Sequence, residues 1–163
     1  MTRDIVVRPA RENDAGTIRS VLRANLDDLS LFQRPEHDIR NHFGDFILVQ
    51  DGGRVVGCAA LHAYSASLAE VLSVSVVREG QGKGIGGRLV RECLEKARRE
   101  SVSMVFLATT KPAYFGRFGF RPFSHWQLPL RVLLIKLRQV FRQPAARWLP
   151  AVFGGHTFMR LRV

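Results

Sequence analysis

Hydrophobic positions along the chain change period several times, and each change marks an element. Ile5 to Arg8 is a short apolar run that predicts a strand. From Asn13 or Asp14, either of which can cap a helix, the period becomes helical, with Ile18, Val21 and Leu22 as a stripe running to about Asn25. Asp27 to Gln33 reads as a loop. Pro35 opens a second helix reaching Phe43, with Ile39 and Phe43 four apart. Phe46 to Gln50 and Val55 to Tyr64 flank Asp51-Gly52-Gly53-Arg54, a hairpin signature. Ser65-Ala66-Ser67 makes a second turn, after which Glu70 to Val77 reads as a buried strand. A helix follows on the stripe Ile85, Leu89, Cys93 and Ala97, with Val90 and Leu94 beside it. Val102 to Thr109 is a strand, Pro112 to Phe118 a short helix, Arg121 to Trp126 a strand, and His156 to Val163 a closing strand. The pattern is α/β: an antiparallel meander feeding a parallel βαβ crossover, hence a mixed sheet flanked by helices. At 163 residues it is one domain, 1–163.

Between the strand at Glu70 and the helix at Ile85 lies Gln81-Gly82-Lys83-Gly84-Ile85-Gly86-Gly87. A glycine-rich turn at a helix N-terminus offers unpaired N–H groups and the positive end of the helix dipole, so it attracts phosphate. A P-loop would need Ser or Thr after Lys83, where Gly84 stands. Gly82, Gly84 and Gly87 match GxGxxG, but the next strand ends Ala108-Thr109-Thr110 without the ribose-binding carboxylate. The remaining pattern, Gln/Arg-x-x-Gly-x-Gly/Ala, is met by Gln81, Gly84 and Gly86.

That run, with Ile5-Val6-Val7-Arg8-Pro9-Ala10 and Asp14 before it and Tyr114-Phe115-Gly116-Arg117-Phe118-Gly119-Phe120 after it, resembles the GNAT N-acetyltransferase superfamily over roughly residues 3 to 126. The resemblance implies the GNAT fold and acetyl-CoA as cosubstrate, with no metal. It puts Val74, Val76, Gln81, Gly82, Lys83, Gly84, Ile85, Gly86, Gly87 and Phe115 along the cofactor and the turn amides on its pyrophosphate. Acetyl transfer to an amine needs a base, an oxyanion donor and a leaving thiol. By the resemblance Glu70 stands where many of these enzymes place the base. It is the sole carboxylate between Asp51 and Glu79, and the competing reading is an exposed charge limiting a strand end. The oxyanion donor would be a backbone N–H near Val74. Many members carry a tyrosine four residues before the glycine of Gly-Phe as general acid; here Phe115 holds that place, and Tyr114 is one residue earlier, about 100° around a helix. Tyr114 is the candidate acid. A thiol of pKa near ~8.5 also leaves unaided.

Val56 to His62, Leu68-Ala69-Glu70, Phe106 to Thr110 and the paired aromatics look like the short N-acetylglutamate synthase branch, which implies an amino-acid acceptor such as glutamate. Other small amines, a protein N-terminus and a lysine are alternative acceptors. Arg34, His37 and Arg40 are candidate substrate contacts, set against a solvated helix face. His62 is a candidate proton relay, set against a structural histidine.

Charge complicates the picture. Residues 1–100 hold 15 Lys/Arg and 14 Asp/Glu, whereas residues 101–163 hold 10 Lys/Arg and no carboxylate. Residues 128–150 form a basic amphipathic elaboration. From Arg131 to Gln143, Leu133, Leu134, Leu137, Val140 and Phe141 share one helical face, Arg131, Arg138 and Arg142 the other, and Pro144 ends the helix. The plain reading packs this helix on the sheet or on a second subunit, as in a homodimer. The other gives it an anionic membrane or protein partner, in the extreme as a non-catalytic acyl-CoA-binding module. Nucleic acid is disfavoured, since no recognition motif is present. Cys58 and Cys93 lie in apolar patterns without CxxC spacing and read as reduced core thiols. No segment reads as a signal peptide or a transmembrane span, so the expected location is cytoplasmic.

Overall fold

A computed structural model of the chain describes residues 5–25, 34–141 and 155–163. In chain order its elements are β1 (Ile5–Pro9), α1 (Ala15–Arg23), α2 (Glu36–Asn41), β2 (Phe46–Asp51), β3 (Arg54–Ser65), β4 (Leu68–Val76), α3 (Ile85–Arg99), β5 (Met104–Thr109), α4 (Pro112–Gly116), β6 (Arg121–Pro122), α5 (Leu130–Phe141) and β7 (Thr157–Arg162). The seven strands form one sheet in the order β1-β2-β3-β4-β5-β7-β6. The pairing of β4 with β5 is parallel; all the others are antiparallel. The mixed α/β architecture expected from the sequence is the one observed.

Alternation along the strands divides the helices between two faces. On one face α3 lays Ile85 and Leu89 over Gly57, where a Cβ would come within 3.1 Å of both side chains and of the Ser75 carbonyl. Its buried stripe, Ile85, Leu89, Val90, Cys93, Leu94 and Ala97, is the one the sequence pattern marks. The other face meets α1, where the Ser75 hydroxyl donates to the Val21 carbonyl at 3.2 Å. Farther along this face Leu68 and Phe106 join Leu128 and Val132, which seats α5 on the sheet. Cys58 and Cys93 are buried, and burial pushes both thiols up to about 12, so both are protonated packing residues at neutral pH.

Two backbone irregularities shape the middle of the sheet. β4 and β5 pair only at Leu68, Ala69 and Glu70, then part, although β4 runs on to Val76 and β5 to Thr109. Opposite β3, the register jumps between Ala60↔Leu72 and Cys58↔Ser75, so Ser73 and Val74 face Ala59 alone. Ser73, within this bulge, sits in the left-handed region (φ 56°).

Several boundaries differ from expectation. β4 begins at Leu68 instead of Glu70, because the turn closes on the Ser65↔Leu68 pair; Glu70 is therefore inside the strand and does not limit its end. Asp14 stands at the α1 N-cap position, yet its carboxylate accepts from the Arg11 N–H (2.7 Å) and from both Arg8 Nη atoms (2.7 and 2.9 Å) instead of a helix N–H. α2 stops at Asn41, and Phe43 lies in a 3-10 turn, 37% exposed. β6 is two residues long, its continuation diverted into a 3-10 turn at His125–Gln127. The expected loop 27–33, and Arg142, Gln143 and Pro144 at the end of the basic helix, lie outside the described residues.

The Arg8–Asp14 pair fastens β1 to the start of α1, and the Arg8 hydrogen bonds hold the Asp14 carboxyl below the ordinary carboxylate range. A depressed native pKa gives stability above the unfolded value of ~3.9 and loses it as pH falls through the native value. Asp14→Asn should cost about 1–2 kcal/mol at pH 7. Denaturant titrations at falling pH should show the gap between wild type and variant closing in acid.

Candidate active site

Where β4 and β5 part, the sheet opens into a cleft of ≈1840 Å³. It runs from the glycine turn ahead of α3, past Leu72 to Val76, to Glu70 at the fork, with α5 on its far side. Eight Lys and Arg side chains line it against two carboxylates, Asp38 and Glu70.

Glu70 is the last β4 residue paired with β5 and is 3% exposed. Its Oε2 accepts a 2.8 Å hydrogen bond from the Tyr64 hydroxyl, and its Oε1 pairs with the Lys136 ammonium from α5. Burial, then the charge of Glu70, holds the Tyr64 hydroxyl far above its ordinary range, so at neutral pH Tyr64 donates. Its ring stacks on Phe106 (5.8 Å) and meets the edge of His62 (5.0 Å). His62 Nδ1 in turn donates to Asp45 Oδ2 at 2.7 Å. Arg34, just before α2, donates from Nε to Asp38 (3.0 Å) and lies over the Phe46 ring (5.5 Å). Its Nη1 is buried and has no hydrogen-bond partner among the described residues. Such a donor is costly to leave unmatched, so the site has unused capacity for an acceptor oxygen.

At the other end, Gly82 and Gly84 adopt φ of 75° and 77°, and nothing lies within 4 Å of where their Cβ atoms would be. They are required for the turn conformation itself. Gly86 leaves room for Tyr114: a Cβ there would sit 2.7 Å from the Tyr114 hydroxyl, which would have to shift. The first backbone bond of α3 runs from the Arg88 N–H to the Gly84 carbonyl (3.0 Å), leaving the N–H groups of Ile85, Gly86 and Gly87 without helical acceptors. Such a terminus, with Arg91 beside it, suits an anionic ligand. Asn25 and Gln81 both donate to the Val76 carbonyl (3.0 and 3.1 Å), and Gln81 also donates to Asn25 Oδ1, closing the cleft wall below the turn.

Of the residues singled out in the sequence, Glu70, Val74, Val76, Gln81, Gly82, Gly84, Ile85, Gly86, Gly87, Tyr114 and Phe115 all line this one cleft; Lys83 does not. Arg34 and His37 line it, whereas Arg40 points away to Glu36 (3.0 Å) on an exposed helix face. Sequence reasoning missed Tyr64, Lys136 and Asn25. Tyr64 was findable, since alternation through the Ser65–Ser67 turn puts it on the face of Glu70. Lys136 is 66 residues from Glu70, and no local pattern announces the pair.

Comparison with known proteins agrees with this architecture. The model of the acetyltransferase (GNAT) family matches residues 16–120. An uncharacterised N-acetyltransferase of Chlorobaculum tepidum is 31% identical over 129 residues, 79% of this chain and 83% of that protein. An amino-acid acetyltransferase of Neisseria meningitidis is 29% identical over 77% of this chain, which spans only 29% of that protein's length. A Mycobacterium tuberculosis protein solved in complex with CoA superposes with a TM-score of 0.79 at 25% identity, covering 97% of this chain and 99% of its own. Shared sequence over two thirds of the chain and a shared fold over nearly all of it lead to one assignment: the chain belongs to the acetyltransferase (GNAT) family and is an acyltransferase that takes acetyl-CoA as its cosubstrate.

Proposed function

We propose that the protein acetylates the amine of a small acceptor bearing carboxylate, an amino acid of the glutamate kind, by direct attack on the thioester. The observation that carries this reading is Arg34, whose buried Nη1 lacks a partner among the described residues in a cleft wall shared with Tyr64, Glu70 and Lys136. A guanidinium with an open donor selects a carboxylate, and the surplus of cations in the cleft favours an acidic acceptor. The name of the Neisseria meningitidis relative supports an amino-acid acceptor.

The cosubstrate's pyrophosphate fits the free N–H groups of Ile85, Gly86 and Gly87, with Val74 and Val76 on the bulged strand beside its arm. Acetyl-CoA supplies the activated acyl group; the protein supplies position and proton management. Glu70 is the base. In the resting site Lys136 neutralises it, and the acceptor's ammonium is a rival cation for the same carboxylate, which takes the proton before attack. Tyr64 holds the other carboxylate oxygen and so orients it. A backbone N–H near Val74, in the bulge, would serve as the donor to the thioester oxygen. Tyr114 turns its hydroxyl to Gly86, in the turn given to the pyrophosphate, so the thiol leaves on its own acidity, as thiolate. A second reading, a CoA-binding module without catalysis, draws on the same Lys136 contact, which closes off Glu70.

Glu70→Gln should lower kcat at neutral pH about 10²–10³-fold while leaving unchanged the rise in thermal stability that CoA gives. Unchanged turnover would remove Glu70 from the mechanism. Arg34→Met should raise KM for the acidic acceptor about tenfold or more, as expected for a lost charged hydrogen bond, with KM for acetyl-CoA unaltered. Thiol release measured across glutamate, aspartate, glutamine, neutral amino acids and simple amines tests the whole reading: a preference for neutral amines overturns the acidic acceptor, and silence across the panel favours the CoA-binding module.

A further inference from the structure

Helix α5 turns its apolar side outward. Leu130, Leu134, Leu137 and Phe141 are 69, 56, 50 and 57% exposed, and their spacing of four, three and four puts them on one stripe. Trp126, just ahead of the helix, is 77% exposed. The side facing the sheet is carried by Val132, 4% exposed, and by Lys136 at Glu70. The helix thus packs on the sheet, as the plain sequence reading expects, but with a different face from the one that pattern marks.

Charge selects what meets this stripe. Arg131 and Arg138 are exposed and seven residues apart, so they stand together along one edge of it. The helix has no carboxylate, nor does any part of residues 101–163. Pairing with a second copy through this face would bring arginines together with no acid to separate them. A layer of acyl chains beneath anionic headgroups supplies what the helix presents: an apolar phase for Leu and Phe, phosphate for the edge arginines, and an interface for tryptophan. No helix among the described residues is long and apolar enough to cross a membrane, and α5, at 12 residues, would lie flat. We propose that α5, with Trp126, is an interfacial helix that seats the protein on an anionic phospholipid surface. The cleft, lined on this side by Lys136 and Arg138, then opens next to the lipid.

Co-sedimentation of the full chain with phosphatidylcholine vesicles, with and without phosphatidylglycerol, tests the proposal. The expected result is binding to the anionic vesicles that weakens as salt rises and is at least about tenfold poorer for neutral ones. Arg131→Gln with Arg138→Gln should weaken it about thirtyfold, five- to sixfold per arginine. Leu134→Gln with Leu137→Gln should abolish it even at low salt, with thermal stability and acetyl transfer in the absence of vesicles unchanged, because both side chains lie outside the core and the cleft. Lack of binding at low salt, or equal binding to neutral vesicles, overturns the proposal. A concentration-dependent dimer that the same leucine variant dissolves would also overturn it and give the stripe to a second copy. Acetyl transfer is read separately, so failure here is distinct from failure of the acceptor assignment.

Discussion

A carboxylate is buried where the central sheet divides, and much of the molecule is arranged to keep it there. Glu70 lies between β3 and β5 at the last rung before the strands part, and its two oxygens are met by Tyr64 and Lys136. An unpartnered charge at that depth would cost several kcal/mol, so neither partner is optional. Tyr64 comes from the end of β3 and Lys136 from a helix 66 residues away, so one ionised group ties three segments around the mouth of the cleft. Stacking of Tyr64 on Phe106 joins that network to the apolar cluster that seats α5. The site is thus held by the same contacts that hold the C-terminal helix on the sheet.

The remainder of the cleft is made by departures from regular structure. Beyond Glu70, β4 no longer pairs with β5, and the bulge at Ser73 and Val74 turns the backbone within that open stretch. A serine at φ 56° carries strain of order 1–3 kcal/mol, which persists because β3 pins the strand on both sides of it. The glycine turn adds a second set of free backbone donors. Regular ladders consume their N–H and C=O groups; a bulge, a fork and a helix start leave them available. A ligand that is part phosphate and part amide can be held by such groups with few dedicated side chains, and this explains why Val74 and Val76 line the site without contributing chemistry through their side chains.

This distinction governs what could be read in the sequence. The α3 stripe, the hairpin at Gly52-Gly53 and the glycine turn are local patterns, and each formed where the periodicity or turn chemistry put it. Glu70 was legible as an isolated carboxylate in an apolar run, but its burial was not, because burial depends on Tyr64 and Lys136 arriving from elsewhere. In sequence Arg34 reads as a candidate substrate contact or as part of a solvated helix face. The structure puts it ahead of α2, with its guanidinium over Phe46, a placement set by how the helix docks and not by its own neighbours in sequence. Strand ends slipped by one or two residues where a cross-strand pair, such as Ser65↔Leu68, set the boundary, and by four at β6, where the chain turns into the 3-10 segment at His125–Gln127.

The basic helix shows most plainly how a distant contact overrules a local pattern. At about 100° per residue, Lys136 stands about 130° around the axis from the centre of the Leu130, Leu134, Leu137 and Phe141 stripe. One orientation cannot bury both. Turning the stripe inward would gain roughly 1.5–3 kcal/mol for each side chain fully removed from water. It would also strip Glu70 of its cation, at about 3–5 kcal/mol, and lift Val132 out of its cluster. These side chains are already about a third to a half covered, so the opposing terms are of similar size, and an outward stripe held by Lys136 and Val132 leaves an apolar surface open to a partner that can cover it. An anionic lipid surface supplies that cover without disturbing Glu70, and it lets one helix serve the active site with one side and a membrane with the other.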